Sequence, residues 1–409
     1  MESIRSVVVG VWVGAGSRNE DAATSGISHY IEHVAFKGTH GRTARRIAEE
    51  IEFIGGHINA FTAKDCTCFY TRTLDEHLGV AVDILSDIIM RPKLAEPDID
   101  LERNVILEEI NMSEDSPDEL VHDLLSEGAW AGCTLGYPIL GTPESIARID
   151  SGAMKRYMGQ KYVPGNIVIA VAGSFSEPEL MELLEKTFGT IGSAAPPAAP
   201  PADPPADADS VVYKAHTTLR QKDTEQIHLC AGFDGIELGD DDIYALHLAN
   251  YIFGGGMSSV LFQKIREELG LVYSIYSYIS AHRGAGLYTI YAGMHPAQAG
   301  LVFNMVLDEL SAFSRGGMTQ DLLDRSKDQF KGSFIMGLES PNARMSSLGK
   351  SELLLGYVNT PEETVAKVEA VTLEKVYAVM GKVFDFGGLS VSAVGRIDGE
   401  LEKILGRAV

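Results

Sequence analysis

Two hydrophobic patterns alternate along this chain, and together they predict a mixture of strands and helices. Residues 7–13 are apolar apart from Gly10 and run into the turn at 14–16, which is typical of a buried strand. Apolar residues spaced three and four apart in the following segments predict helices. In the first half we predict strands at 6–14, 57–63, 66–73 and 166–173, and helices at 23–36, 43–54, 74–90, 97–114 and after 177.

The same order of elements returns in the second half of the chain. We predict a strand at 226–233, helices at 241–253 and 258–270, and strands at 272–282 and 286–293. The fold class that follows is α+β, with two homologous α/β-sandwich-like halves, each an antiparallel-rich sheet packed with helices. In this repeat, residues 29–33 (HYIEH) fall opposite residues 247–251 (HLANY).

A proline-rich segment separates the two halves. Residues 193–210 read SAAPPAAPPADPPADADS and contain no large apolar residue. Such a composition favours an extended, semi-rigid spacer. We therefore predict an N-terminal domain at 1–192, a linker at 193–210 and a C-terminal domain of the same fold at 211–409.

The charge of the chain narrows the classes of partner. Lys and Arg total 34 against 57 Asp and Glu, a formal net charge of −23. An acidic surface of this size repels phosphate backbones and anionic lipids, so we predict neither a nucleic-acid nor a membrane partner. The four cysteines are too few for a disulfide framework, and the first residues lack the pattern of a secretory signal. We therefore expect a cytoplasmic location.

A short motif in the first half has the spacing of a metal site. His29 and His33 are four residues apart, so on a helix both imidazoles project from one face and can bind one zinc ion. Glu32 lies on nearly the same face, where a carboxylate can take a proton from a zinc-bound water. The second half has Asn250 and Tyr251 at the positions of Glu32 and His33, so only the first half keeps this chemistry.

The third zinc ligand must come from another segment, because catalytic zinc usually has three protein ligands. The acidic helix predicted at 97–114 is the candidate. Glu102 and Glu109 lie two turns apart on it and point the same way, whereas Glu108 points about 100° away. Of these two acids, one would ligate zinc and the other would support the site.

At these residues the sequence resembles the pitrilysin and mitochondrial processing peptidase family of inverted-motif (H-x-x-E-H) zinc peptidases. The subtype is the short, subunit-forming and mostly bacterial branch. The resemblance implies that His29, His33 and Glu109 bind one Zn²⁺ per chain, that Glu32 is the general base and that Glu102 supports the ligands. The matching stretches are HYIEHVAFKGT at 29–39, INAFTAKD at 58–65, LERNVILEEINMSEDSPDELVHDLL at 101–125 and FGGGMSSVLFQKIREELGLVYS at 253–274.

The resemblance also implies functional residues outside the zinc motif. Arg266 and Tyr273 match an Arg–Tyr pair of the family and would hydrogen-bond peptide carbonyls and a developing oxyanion. The strand at 57–62 matches an exposed sheet edge on which substrate is added as a further strand. Its predicted contacts are Asn59, Ala60, Phe61 and Thr62.

The sequence departs from the family pattern at two places. Val260 stands where relatives often have Arg, which would alter a local ion pair or the domain interface. Residue 1 lies directly before the strand at 6–14, whereas relatives usually carry a further leading strand pair that covers the sheet edge.

The function predicted from these residues is that of a zinc metalloendopeptidase hydrolysing unfolded peptides inside a chamber between the halves. Two alternatives are a non-catalytic assembly or partner subunit, and a zinc-dependent peptide-binding module with negligible turnover. Assembly subunits typically lose the zinc residues, which this chain keeps. The expected partners are peptide substrates, which the acidic charge predicts to be basic, and a second copy in a homodimer. A heterodimer with an inactive homologue is the alternative assembly.

Overall fold

The computed structural model of this chain describes residues 1, 4–189, 191 and 211–406. The predicted linker at 193–210 lies outside the described residues, so its extended form stays a prediction. The strands are β1 (Ser6–Val13), β2 (His57–Thr62), β3 (Thr67–Leu74), β4 (Ile167–Gly173), β5 (Thr217–Gln221), β6 (Ile227–Asp234), β7 (Val272–His282), β8 (Ala285–Met294) and β9 (Ser390–Gly395).

Helices make up most of the remaining described chain. They are α1 (Ile27–Ala35), α2 (Ala44–Glu52), α3 (Leu78–Met90), α4 (Glu96–Glu114), α5 (Pro117–Ala129), α6 (Pro143–Ile146), α7 (Ser151–Lys161), α8 (Glu177–Thr187), α9 (Asp242–Phe253), α10 (Ala299–Ala312), α11 (Gln320–Leu338), α12 (Pro341–Leu355), α13 (Pro361–Glu369), α14 (Leu373–Val383) and α15 (Gly399–Leu405).

The first sheet has four strands in the order β2-β3-β1-β4. Its interior strand β1 pairs antiparallel with β3 on one side and with β4 on the other. β1 is buried along nearly its whole length because α3 and α12 pack against it. A strand covered in this way needs apolar residues at successive positions, which explains its continuous hydrophobic run.

The second sheet repeats this arrangement and adds one strand. Its order is β5-β9-β6-β8-β7, so β7, β8, β6 and β9 take the places of β2, β3, β1 and β4. The additional strand, β5, pairs parallel with β9. In the first sheet the corresponding strand, β4, is itself the edge. The repeated strand order confirms the predicted α+β fold of two homologous halves.

Two compact units are built around these sheets, and neither is a continuous stretch of chain. Residues Met112–Gly136, which include α5, belong to the unit of the second sheet. Residues Met336–Val358, which include α12, belong to the unit of the first sheet. The halves predicted at 1–192 and 211–409 therefore each contain one helix that packs within the other unit.

Specific contacts hold α12 in the first unit and α5 in the second, and we call these two the exchanged helices. In the first unit the indole Nε1 of Trp12 donates to Met345 Sδ at 3.2 Å. Gly349 lies so close to this indole that an added Cβ would stand 2.1 Å from Nε1. In the second unit the Ser392 hydroxyl donates to the Val121 carbonyl at 2.6 Å. Each helix is thus held by close packing on its own sheet.

Candidate metal centre

Helix α1 presents both motif histidines to one side of the first unit. The helix begins after Gly26, whose φ of 90° lies in the left-handed region and ends the preceding turn. This start is four residues later than the sequence pattern predicts. The imidazole rings of His29 and His33 then lie one turn apart, with their centroids separated by 4.6 Å. The two rings therefore project from the same face of α1, as their four-residue spacing predicts.

The carboxylate of Glu109, on α4, faces both histidines. Its Oε2 lies 3.7 Å from His29 Nε2 and 3.5 Å from His33 Nε2. One ligand atom from each of these three residues lies within 4.8 Å of the others, and no other such group of His, Cys, Asp or Glu occurs among the described residues. Glu109, which the resemblance implies as the third ligand, is thus the acid of α4 that faces both rings, and its role as a ligand stays a prediction.

The donor set of these three residues fits a metal ion. Burial, followed by the nearby charge of His33, lowers the pKa of His29 to about 4, so its ring is neutral at pH 7. Glu109 Oε2 is buried and has no hydrogen-bond partner among the described residues. Two imidazole nitrogens and one carboxylate oxygen form a ligand set known from catalytic zinc sites. A cation there would satisfy the otherwise unpaired oxygen.

Glu102 lies behind His33 rather than among the ligands. Its Oε2 is 3.1 Å from His33 Nδ1, and its Oε1 pairs with Lys37 Nζ at 2.5 Å. A carboxylate at Nδ1 holds the proton on that nitrogen and leaves the Nε2 lone pair for a metal. Lys37 was missed by the sequence reasoning, because it lies beyond the end of α1 and of the helix predicted at 23–36.

The side chain of Glu32 lies beside the end of β2. The Thr62 hydroxyl donates to Glu32 Oε2 at 2.6 Å. Burial raises the pKa of Glu32, and the Thr62 hydrogen bond opposes this shift. Thr62 was predicted as a substrate contact, whereas the structure shows it bonded to the predicted base.

Strand β2 forms the outer edge of the first sheet. It pairs antiparallel with β3, and no described strand lies on its other side. Asn59 and Phe61 are exposed, whereas Ala60 is buried in the core. The side chains of β2 therefore alternate between solvent and core, and along its edge the Ala60 amide donates to Asn59 Oδ1 at 2.9 Å.

Arg266 and Tyr273 both lie in the second unit, on irregular backbone. Arg266 sits in a π-helical segment, Phe262–Glu268, with its guanidinium carbon 4.7 Å from the centre of the Phe262 ring. Tyr273 is the extra residue of a bulge where the pairing of β7 with β8 shifts, and it is 73% exposed. Both irregularities present a polar side chain to solvent, as bulges and π-turns at functional sites often do.

Comparison with known proteins identifies the family. Residues 2–143 match the family model described as Insulinase (Peptidase family M16), and residues 148–330 match the model described as Peptidase M16 inactive domain. A Bacillus subtilis protein named as the uncharacterized zinc protease YmxG is 43% identical over 382 residues, which are 93% of this chain and 91% of that protein. The chain belongs to peptidase family M16. The resemblance to the pitrilysin family is thereby confirmed.

One more relative and two solved structures show further similarities to this chain. A protein of Rickettsia felis named as an uncharacterized zinc protease is 32% identical over 395 residues, covering 96% of this chain and 93% of that protein. A protease from Helicobacter pylori has the same fold, with a TM-score of 0.88 at 21% identity over 96% of this chain and 94% of that one. A Pseudomonas fluorescens structure titled as a peptidase M16 inactive domain also has a TM-score of 0.88 at 21% identity, covering 97% and 93% of the two chains.

Among the described residues of this M16 chain, no helix is both long enough and apolar enough to cross a bilayer.

Proposed function

We propose that this M16 chain is a zinc metalloendopeptidase that hydrolyses unfolded peptides. The observation that carries the proposal is the convergence of His29, His33 and Glu109 beside a half-buried Glu32. The open edge of β2 ends at Thr62, which bonds to that same Glu32. A metal ligand set, a base and an edge for an extended peptide thus meet at one place in the first unit. Relatives named zinc proteases support the same function.

The ligands and their supporting residue have distinct roles in this proposal. His29, His33 and Glu109 would hold one Zn²⁺, which supplies Lewis-acid polarisation of the scissile carbonyl and lowers the pKa of water toward about 7. Glu102 accepts a hydrogen bond from the Nδ1–H group of His33, so the Nε2 lone pair of that ring faces the other two ligands. Lys37 neutralises the buried charge of Glu102 and holds it in place.

Glu32 moves the protons of the reaction. Thr62 engages its Oε2, which leaves Oε1 to accept a proton from the attacking water and to deliver it to the leaving amine. A general base works best when its pKa lies near the operating pH, and burial shifts the pKa of Glu32 upward, toward neutral pH. Peptide backbone would pair with β2 at Asn59–Thr62, and Arg266 and Tyr273 would donate to peptide carbonyls and to the oxyanion.

Glu32→Gln separates catalysis from metal binding. We expect this variant to keep zinc near one ion per chain and to lose peptide turnover by about 10²- to 10⁴-fold, because the general base is removed. The measurements are bound zinc in the purified protein and cleavage of a quenched peptide library with and without chelator. Cleavage at the wild-type rate by zinc-loaded Glu32→Gln protein would refute the mechanism.

A matched pair on α4 tests the third ligand. Glu109 faces the histidines, whereas its neighbour Glu108 is exposed. We expect Glu109→Gln to reduce zinc content strongly and Glu108→Gln to leave both zinc content and turnover near wild type. Equal zinc content in the two variants would exclude Glu109 as a ligand, and a wild-type chain without zinc would favour the assembly subunit.

We further propose basic peptides as the preferred substrates and a homodimer as the working assembly. The first proposal is supported by the net charge of −23. The second is supported by the presence of both the zinc residues and the Arg266–Tyr273 pair in one chain. Equal turnover of basic and acidic peptide libraries would refute the first. Light scattering over a range of concentrations tests the second, since a persistent monomer contradicts it.

A further inference from the structure

The metal-bearing helix α1 begins without a side-chain cap of its own. Its N-cap residue is Gly26, which has no side chain to accept a hydrogen bond from the first turn. The first amides of a helix have no partner within the helix and are costly to leave unsatisfied when buried. His29 is the third residue of α1, so it lies within the turn that most needs such a cap.

The carboxylate of Glu20, which lies outside the helix, accepts hydrogen bonds from amides at the start of α1. Its Oε2 accepts from the Gly26 backbone amide at 2.6 Å, and its Oε1 accepts from the Ser28 amide at 2.8 Å. Glu20 is only 4% exposed. Burial raises the pKa of Glu20 to about 7, while the Ser28 and Gly26 amides oppose that shift by favouring the charged form.

Glu20 is itself attached to the hairpin formed by β2 and β3. The turn just before it hydrogen-bonds to that hairpin through the backbone, from the Ser17 amide to the Ala63 carbonyl at 3.3 Å and from the Arg18 amide to the Lys64 carbonyl at 3.0 Å. The hairpin contains the predicted substrate edge. Glu20 therefore connects the start of the metal-bearing helix to the sheet on which peptide is proposed to bind.

We propose that Glu20 is a positioning residue for the metal centre, which fixes the axial position of His29 by capping the first turn of α1. The inference rests on the proposed zinc function. The amide of Ser28 directly precedes His29, so the second hydrogen bond of Glu20 acts one residue from the ligand. His33 lies one turn further and is held independently by Glu102. Loss of Glu20 would therefore loosen one ligand and leave the other in place.

Two substitutions and one control test the role of Glu20. Glu20→Ala removes both acceptors, and Glu20→Gln keeps one acceptor but turns an NH₂ group toward the second amide. Asp21→Asn is the matched control, because Asp21 is an exposed neighbouring carboxylate that accepts from the Ala23 and Thr24 amides, both of which precede α1. Zinc affinity is measured by competition with a chromophoric chelator, at a temperature where circular dichroism shows every variant folded.

The expected order of zinc affinity is specific. We expect about a tenfold loss for Glu20→Ala, a smaller loss for Glu20→Gln and a change of less than about twofold for Asp21→Asn. Wild-type zinc affinity in folded Glu20→Ala, with only its melting temperature lowered, would overturn the positioning role. Failure of the wild type to bind zinc would instead refute the proposed function on which the inference rests.

A measurement on the wild-type protein covers the case in which the variants do not fold. Hydrogen exchange of the Gly26 and Ser28 amides should be slow in the metal-free protein, although first-turn amides ordinarily exchange quickly. Fast exchange at both amides would overturn the proposal without any substitution.

Discussion

Lys37→Met should destabilise the first unit by removing the cation that balances Glu102. The pair is 2.5 Å apart, and the exposed fractions of the two side chains are 33% and 5%. At an effective dielectric constant of about 20, such a distance corresponds to a gross attraction of about 7 kcal/mol. Desolvation offsets most of it, and removing one partner of a buried pair typically costs about 3–5 kcal/mol. Because Lys37 is partly exposed, we expect a loss of about 2 kcal/mol.

The two tryptophans allow this loss to be measured in the first unit alone. Trp12 lies in the first unit and Trp130 in the second, and both are buried. In a Trp130→Phe background, urea unfolding followed by Trp12 fluorescence reports on the unit that contains the pair. The series comprises Lys37→Met, Lys37→Arg, Glu102→Gln and the double variant Lys37→Met/Glu102→Gln, all measured after removal of metal with a chelator.

A double-mutant cycle decides whether the two residues act as a pair. If they do, Lys37→Met/Glu102→Gln is less unstable than the sum of its single variants by about 1–2 kcal/mol, because the uncompensated charge disappears with Glu102. Lys37→Arg should lose less than Lys37→Met. Additive effects within about 0.5 kcal/mol would refute the reasoning, since they would show that Lys37 does not stabilise the charge of Glu102.

Three further outcomes follow from other contacts. Thr62→Val should lower kcat by about tenfold without loss of zinc, because a charge-assisted hydrogen bond to the base is removed; unchanged kcat would contradict this. Gly349→Ala should destabilise the first unit by about 1–3 kcal/mol through its clash with Trp12, whereas Gly337→Ala, in the same unit with open space around it, should not. Burial lowers the pKa of His122 to about 4, so protonation favours the unfolded chain and stability falls as pH drops from about 6.5 to 4. His122→Gln should flatten that decline in pH-dependent unfolding, and an unchanged decline would contradict it.

Local spacing was sufficient to predict which residues share a face in the candidate metal centre, because those residues lie on helices. The four-residue separation of His29 and His33 puts both rings on one face of any regular helix. The two-turn separation of Glu102 and Glu109 does the same on α4. Which of the two acids faces the histidines depends on how α4 packs, and the residues alone left that choice open.

Long-range packing was beyond the reach of the sequence pattern. Nothing in the apolar periodicity of α5 or α12 shows which sheet each helix covers, because both sheets offer an apolar face. The position of each exchanged helix depends on shape complementarity. At Gly349, for example, the absence of a side chain leaves room for the indole of Trp12. The hydrogen bond from Thr62 to Glu32 was missed for a similar reason, since it joins a strand to a helix thirty positions earlier.

A comparison of the two copies of the repeat separates contacts that both copies make from contacts that only the first copy makes. Asn250, opposite Glu32 in the repeat, accepts a hydrogen bond from Ser277 on the edge strand β7 at 2.6 Å. This bond corresponds to the one between Thr62 and Glu32, so both halves join helix to edge strand through a polar side chain.

The residue opposite His33 instead makes an aromatic contact, whereas His247 keeps an imidazole opposite His29. Tyr251, opposite His33, lies edge-on to Phe330 of α11, with ring centroids 6.3 Å apart. Helix α11 holds the place in the second half that α4 holds in the first. In the second half an aromatic contact therefore joins α9 to α11. In the first half the contacts of His33 with Glu102 and Glu109 join α1 to α4. Since the second copy folds without a counterpart of Glu32 or His33, the fold itself does not require these two polar residues, which supports the proposed zinc function.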